Sequence, residues 1–483
     1  MKTLTWLRKQ AFRSILLLIF CLSAGGSTFT PQASQVWSNP VDITGGIGSN
    51  VRSFDAIVCD PYQNAHIFWA DQSEDGAAIF YRNDFSGTWS FPVDVLLVDD
   101  ASIYYLKTAV SPQHDTIHLT WVNFIFNATM YYSSAPLAQA SNPDAWRAPV
   151  VIEEGVTNSD ISVDPGGRLH LVYSVSDETG INNEVHHIVS EDDGMSWSEP
   201  DLVYARTFSQ PSSIQVWQDI DKKGRIHLGL TLRSQEYGAV SEVGYTRSLD
   251  DGVTWDEYQV VQKQGTTFQG VAWIEPFSFG ENEVHLTWHD PRRMHIYSRD
   301  GGETWSQPEE IMPLGGAFGG PNELTQDGSG TVHVVTAVSN GVFTAEWKNE
   351  RWSAPQQIDA RNIDPHGQHI AACGGNRLHI VYYDRVGDET VWYATRELRA
   401  RAIRREPIPT PTLDPAALIT PTIGAPEPTP TSEIDLLRAT LSAAPPPDNI
   451  SPSKTMSLML SGVWPAAILI AALLVLALAR MRR

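Results

Sequence analysis

The chain has 483 residues, 42% of them apolar and 10% aromatic, and carries a formal charge of −22 from 34 basic and 56 acidic side chains. So acidic a protein repels nucleic acid and anionic membrane surfaces, which excludes both as partners. No segment cradles a nucleotide: the glycine-rich stretch Gly315–Gly320 lacks the lysine and the strand–helix setting of a phosphate loop, and no cofactor is expected.

Residues 1–26 combine Lys2, Arg8, Lys9 and Arg13 with an apolar run, Ser14–Cys21, and the small residues Ser23, Ala24 and Gly25. This is the layout of a secretory signal peptide, which takes no part in the fold. A tryptophan phrase, W-S-x-P with two relaxed copies, then opens at Trp37, Trp89, Trp146, Trp197, Trp255, Trp305 and Trp352, at intervals of 52, 57, 51, 58, 50 and 47 residues. Between the copies lies a second phrase: an apolar run, an Asp/Gly turn, then a histidine among apolar residues. Its histidines are His66, His118, His170, His227, His285, His333 and His379. Each repeat predicts four short strands, with the histidine on the second and the tryptophan opening the fourth. A period near fifty residues with four strands per unit marks a β-propeller blade.

The seventh unit, Ile370 to Leu398, has no tryptophan phrase after it, and the Trp37 phrase has no strands before it. Placing Val36–Ile43 as the outer strand of the last blade removes both open edges. The expectation is an all-β fold over residues 36–398: a seven-bladed β-propeller of four-stranded blades, its ring closed by the N-terminal strand. The histidines recur once per blade at one strand position, so they belong to the scaffold, and no metal site is expected.

Before three of the tryptophans the turn sharpens to S-x-D-x-G-x-[ST]-W. Asp192, Gly194 and Trp197 carry it first, then Asp250, Gly252 and Trp255, then Asp300, Gly302 and Trp305. The motif resembles the Asp-box, or bacterial neuraminidase repeat, of the sialidase-like propellers. Turn chemistry accounts for it: Asp accepts from turn N–H groups, Gly supplies a positive φ, and Trp packs beneath the loop. A device repeated from blade to blade is structural, so function belongs where the blades differ.

The starts of the first strands and the loops between second and third strands share one face, opposite the Asp-boxes. First strands bring Arg52, Asp55, Tyr104, Tyr105, Lys107, Asn158, Gln215, Trp273, Glu275, Glu323, His366 and His369 to that face. Loops add Asp71, Arg233, Asp290, Arg292, Arg293 and Arg385. Convergent variable groups at the mouth of a symmetric scaffold mark a binding site. The candidate contacts for a carbohydrate or protein ligand are Arg52, Asp55, Tyr105, Arg233, Trp273, Glu275, Asp290, Arg292, Arg293, His366 and Arg385.

The resemblance implies sialidase chemistry, in which an arginine cluster grips a carboxylate while Tyr, Glu and Asp act at the anomeric carbon. On that reading Arg52, Asp71, Glu275 and Arg292 are the catalytic set of an exo-acting glycoside hydrolase of terminal acidic sugars. The sequence departs from the family in two ways. Arg52 stands in Asn50-Val51-Arg52-Ser53-Phe54 where sialidases carry R-I-P, and seven blades replace six. A glycan- or protein-binding module is therefore the favoured reading, hydrolysis the alternative, and a purely structural ectodomain the third.

Beyond the propeller, residues 399–455 form a Pro-rich stalk that includes Pro407, Pro409, Pro411, Pro426, Pro428 and Pro430. Residues 456–479 carry no charge, span a bilayer as one helix, and precede the basic tail Arg480-Met481-Arg482-Arg483, which the arginines place in the cytoplasm. The expected protein is single-pass in the cell membrane, with its propeller outside. Cys59 and Cys373 end first strands in blades that ring closure makes neighbours. An oxidising compartment permits a disulfide there, while a one-residue offset in repeat register favours two buried thiols.

Overall fold

Strand character follows from alternation: along Gly76–Asn83 every second side chain is buried, with Ala77, Ile79 and Tyr81 turned inward. The computed structural model describes residues 36–403, apart from 47–50, 54–56, 74–75, 86, 99–101, 124–127, 235–238, 264–271, 291, 316–319, 362–364 and 385–389. The signal peptide, stalk, membrane helix and basic tail expected from the sequence lie outside the described residues. Among the described residues no helix is long and apolar enough to cross a membrane.

Seven antiparallel sheets form the blades of a propeller. Their first strands are Val51–Ser53 with Ile57–Cys59, then Ile103–Ser111, Val156–Val163, Ser212–Ile220, Ala272–Phe279, Glu323–Gln326 and Pro365–Cys373. Neighbouring first strands pack against one another and line the axis. The seventh sheet takes its outer strand from the N-terminus: Val41 pairs with Tyr393 and Asp42 with Trp392. Bonds from Ser38 N–H to the Thr395 carbonyl (2.8 Å) and from Ile43 N–H to the Val391 carbonyl (3.0 Å) lengthen this seam. The ring is closed as the sequence predicts, and the outer edge of Val391–Glu397 is covered by the N-terminal strand.

A disulfide joins Cys59 and Cys373 across the same seam, their Cα atoms 5.4 Å apart. The expectation of two free thiols is thereby corrected. The one-residue offset is present on the strands, where Cys59 stands one place and Cys373 two places beyond the residue opposite its blade's histidine. Cys59 pairs with Ala65 across a longer turn and Cys373 with Arg377 across a shorter one, so the two strand ends still meet.

The tryptophan phrase does not open the fourth strand, as the spacing suggested; the strand starts four residues later, at Val93 after Trp89 or Asp201 after Trp197. The phrase is an extended connector whose serine bonds the third strand twice. Ser198 N–H donates to the Val189 carbonyl (2.9 Å), and Ser198 Oγ accepts from Val189 N–H (3.0 Å). Ser90, Ser306 and Ser353 repeat the pattern. Each tryptophan then reaches back to the preceding blade. Trp197 packs edge-on against Tyr132 (5.4 Å), Trp255 against His187 (5.5 Å), Trp305 against Tyr245 (5.0 Å) and, across the closure, Trp89 against Tyr393 (5.2 Å).

The Asp-boxes behave as turn devices. Asp192 accepts from Ser196 N–H (2.8 Å) and Oγ (2.6 Å), while Gly194 N–H donates to Ser190 Oγ (2.8 Å); Asp250 and Asp300 do the same in their blades. All seven repeat histidines are buried. His66, His170 and His227 join the third strand to the turn before the second: His227 contacts Tyr245 (2.7 Å) and Asp221 (3.5 Å), and His66 contacts Tyr81 (2.8 Å) and Asp60 (3.3 Å).

Candidate functional site

A first strand that lines the axis has lost its pairing partner on one edge, so its N–H groups need acceptors from elsewhere. Side chains of the preceding blade supply them. Asn158 Oδ1 accepts from Val216 N–H (2.7 Å), Asp160 Oδ2 from Gln218 N–H (2.9 Å), Thr231 Oγ1 from Ile274 N–H (3.2 Å), and Asp219 from Ser278 N–H. These caps hold the strands in a ring and fix which residues face the axis.

Strand registers place six residues at one level of that ring, each opposite the residue two beyond its blade's histidine. They are Lys107, Asp160, Trp217, Glu275, Glu323 and His369, facing Thr120, Val172, Gly229, Thr287, Val335 and Val381. Neighbours pair by charge: Lys107 with Asp160 at 3.8 Å and His369 with Glu323 at 2.9 Å. Burial raises the pKa of Asp160, which Lys107 only partly offsets. One level deeper, burial pushes Asp219 up to about 6 against the opposing bond from Ser278.

Two residues earlier on each strand stand Tyr105, Asn158, Gln215, Trp273, Pro321 and Gly367. Together with Lys107, Trp217, Glu275, His366, His369, Tyr104 and Tyr383 they line a pocket of about 320 Å³ at the mouth of the axial channel. Here the blades share a bulge. The register shifts between Tyr104 and Lys107, between Ala272 and Glu275, and between His366 and His369. The residue at each bulge is left-handed: Tyr105 at φ 47°, Trp273 at 51° and Gly367 at 53°. The next residue (Leu106, Ile274 or Gln368) is driven into the core. A non-glycine residue in that conformation costs roughly 1–2 kcal/mol, and such strain collects at functional sites. Two of the three positions spend it on a large aromatic ring. Tyr105 is further held by Gln215, whose Nε2 lies 3.2 Å from the Tyr105 hydroxyl.

The pocket thus joins aromatic faces, amides, one carboxylate, one ammonium and two imidazoles, groups that stack on, hydrogen-bond and exchange protons with a polyhydroxylated ligand. Four of the candidates from the sequence meet here: Tyr105, Trp273, Glu275 and His366. The others do not line it. Asp71 is half-buried opposite Val51 on the second strand of blade 1, and Arg233 is exposed opposite Ser213. Asp290 and Arg292 pair with each other at 3.2 Å where the second and third strands of blade 5 meet. Arg293 corrects the sequence reading: it lies in a strand, not a loop, and is wholly buried. It donates to Thr336 Oγ1 (3.1 Å) and the Leu314 carbonyl (2.9 Å), bracing two blades; burial lowers its pKa to about 10. Arg52 lies in the first strand of blade 1, but its side chain is outside the described residues, as are Asp55 and Arg385.

Two aromatic lining residues escaped the sequence reading, Trp217 and Tyr383. Trp217 follows Gln215 by two, so strand alternation alone carries it to the same side. Tyr383 faces His366 across the strand pair, a placement that needed the register.

Residues 131–315 match the family described as a BNR repeat-like domain, a span that includes all three Asp-boxes. A search of curated proteins finds no match. Among solved structures, a polysaccharide lyase (an ulvan lyase bound to GlcA(1-4)Rha3S) is similar at 11% identity, over 77% of this chain and 96% of that one, with a TM-score of 0.51. A leech intramolecular trans-sialidase complexed with 2,7-anhydro-Neu5Ac is similar at 13% identity, over 76% and 70% of the two chains, with a TM-score of 0.41. An alpha-L-arabinanase of Penicillium chrysogenum complexed with arabinobiose is similar at 11% identity, over 62% and 95%, with a TM-score of 0.46. Likeness at such identities is a likeness of fold. Three Asp-boxes in register, a tryptophan staple in each matched blade and a closed ring of four-stranded sheets agree with that match: residues 131–315 carry BNR (Asp-box) repeats within a propeller of sialidase-like fold.

Proposed function

We propose that the propeller is a carbohydrate-binding module, held outside the cell membrane by the apolar segment 456–479, with its ligand seated at the mouth of the axial channel. The observation that carries this reading is the bulge shared by blades 2 and 5. It spends backbone strain to present Tyr105 and Trp273 to one pocket, beside Asn158, Gln215, Glu275 and His366. Flat aromatic faces offer the apolar side of a sugar ring a surface, and the polar groups address its hydroxyls. An ulvan lyase of similar fold is solved bound to a sugar, which supports this reading and supplies no residue.

A second reading, exo-acting glycoside hydrolysis, is favoured by Glu275 in the pocket and by Glu323 at the same level of the ring, where it pairs with the lining residue His369. Its sialidase form needs an arginine cluster, and among the described residues no arginine lines the pocket. The two readings part on one experiment. The purified chain is applied to a printed glycan array and to a panel of aryl glycosides, beside Trp273→Gly and Glu275→Gln. Binding without turnover, weakened at least tenfold by Trp273→Gly, is the expected result. Turnover abolished by Glu275→Gln with binding retained would replace the module by the enzyme, and silence of the wild type on both would end both readings.

A further inference from the structure

Asn158 and Gln215 are buried amides, 1% and 7% exposed, on adjacent first strands, and both line the pocket. Asn158 Nδ2 and Gln215 Oε1 have no hydrogen-bond partner among the described residues. Buried polar atoms are almost always satisfied, because leaving one bare costs about 1–3 kcal/mol. The orientation of Asn158 is set by chemistry: Val216 N–H can only donate, so the atom it meets is the carbonyl Oδ1, and the bare atom is the amide donor. Capping Val216 does not itself require an amide. Two residues on, Asp160 caps Gln218 N–H in the same way with a carboxylate. An asparagine at position 158 therefore has a second use, as a donor. In Gln215, Nε2 lies against the Tyr105 hydroxyl, which leaves Oε1 as an acceptor.

A donor and an acceptor on neighbouring strands suit a group that both accepts and donates. We infer that Asn158 and Gln215 are the specificity-determining pair of this pocket, gripping one hydroxyl of an uncharged sugar that accepts from Asn158 Nδ2 and donates to Gln215 Oε1. The inference rests on the carbohydrate reading above and narrows it. A site that hydrogen-bonds a substrate hydroxyl rejects analogues lacking it far more strongly than an apolar pocket rejects a missing methylene. Among the described residues the ring below contributes no uncompensated cation, since Lys107 is tied to Asp160 and His369 to Glu323, which favours an uncharged ligand over an acidic one.

The test uses the full chain in detergent on an array of uncharged, sialylated and uronate-bearing oligosaccharides, with melting temperatures measured in parallel. Asn158→Asp keeps the cap on Val216 and removes the donor; Gln215→Met keeps the volume and removes the acceptor without adding charge. The expected result is that the wild type binds uncharged oligosaccharides and each variant weakens that binding at least tenfold, while melting stays within about 2 °C of the wild type. Variants that bind as the wild type does would reduce both amides to strand caps and overturn the inference while leaving the carbohydrate reading intact. Binding confined to acidic glycans would overturn the ligand class. A wild type that binds no oligosaccharide would remove the carbohydrate reading itself. Should Asn158→Asp fail to fold, Gln215→Met decides alone.

Discussion

Gly194, Gly252 and Gly302 occupy φ angles of 79°, 92° and 87°, and a Cβ at any of them would collide with the blade before: with Tyr132, His187 and Tyr245 respectively. The motif glycine is thus required twice, by conformation and by the close approach that lets the next tryptophan pack on that same aromatic ring. Gly252→Ala is expected to destabilise the fold by more than about 1 kcal/mol, the left-handed penalty before any clash is counted. A denaturation midpoint equal to the wild type would show that the turn yields. Trp273 presents the opposite case, a bulky residue at φ 51° where blade 7 places Gly367. Trp273→Gly relieves strain as it removes the ring. It should therefore leave the denaturation midpoint within about 1 kcal/mol of the wild type, even as binding falls.

The blades share a polar core that titrates. Burial pushes His187 and His289 down to about 3 and His295 to about 4, and it also lowers His118 and His227 against the pull of Asp193 and Asp221. Those aspartates and Asp327 are raised by burial but lowered more by bonds from His118, His227 and His333, to about 2 each. Below about pH 6.5 the unfolded chain binds protons that the folded histidines refuse, so stability falls as pH drops. Below about pH 4 the depressed aspartates add a second loss as they near protonation. Melting temperatures taken from pH 7 to pH 3 should decline throughout, more steeply at the acid end. A flat profile between pH 7 and 4 would mean that water reaches these histidines.

Closure of the whole ring rests on two devices at one seam: the N-terminal strand pairing with Val391–Glu397, and the Cys59–Cys373 bond spanning 314 residues of chain. A crosslink over so long a loop removes much unfolded-state entropy. Replacing both cysteines by alanine should cost about 2–5 kcal/mol, read from denaturant midpoints. A thiol count on unreduced, denatured protein should find neither Cys59 nor Cys373 reactive. Two reactive thiols from this pair would reopen the seam.

The repeat was legible because each tryptophan phrase and each buried histidine performs one local task in every blade, and local tasks leave periodic marks. Closure followed from counting edges, and the Asp-boxes from turn chemistry. Tyr105, Trp273, Glu275 and His366 were found because they break the repeat at strand starts. Sequence patterning did not disclose the bulges that turn Tyr105 and Trp273 into the pocket, nor the burial of Arg293, and it brought Cys59 near Cys373 without deciding between a disulfide and two thiols. These depend on which residue of one strand lies opposite which of another. A shift of one place inverts the facing of every side chain beyond it, and the amino-acid pattern of a single strand does not encode that shift. The scaffold of this protein was written in its sequence; the composition of its pocket was decided by register.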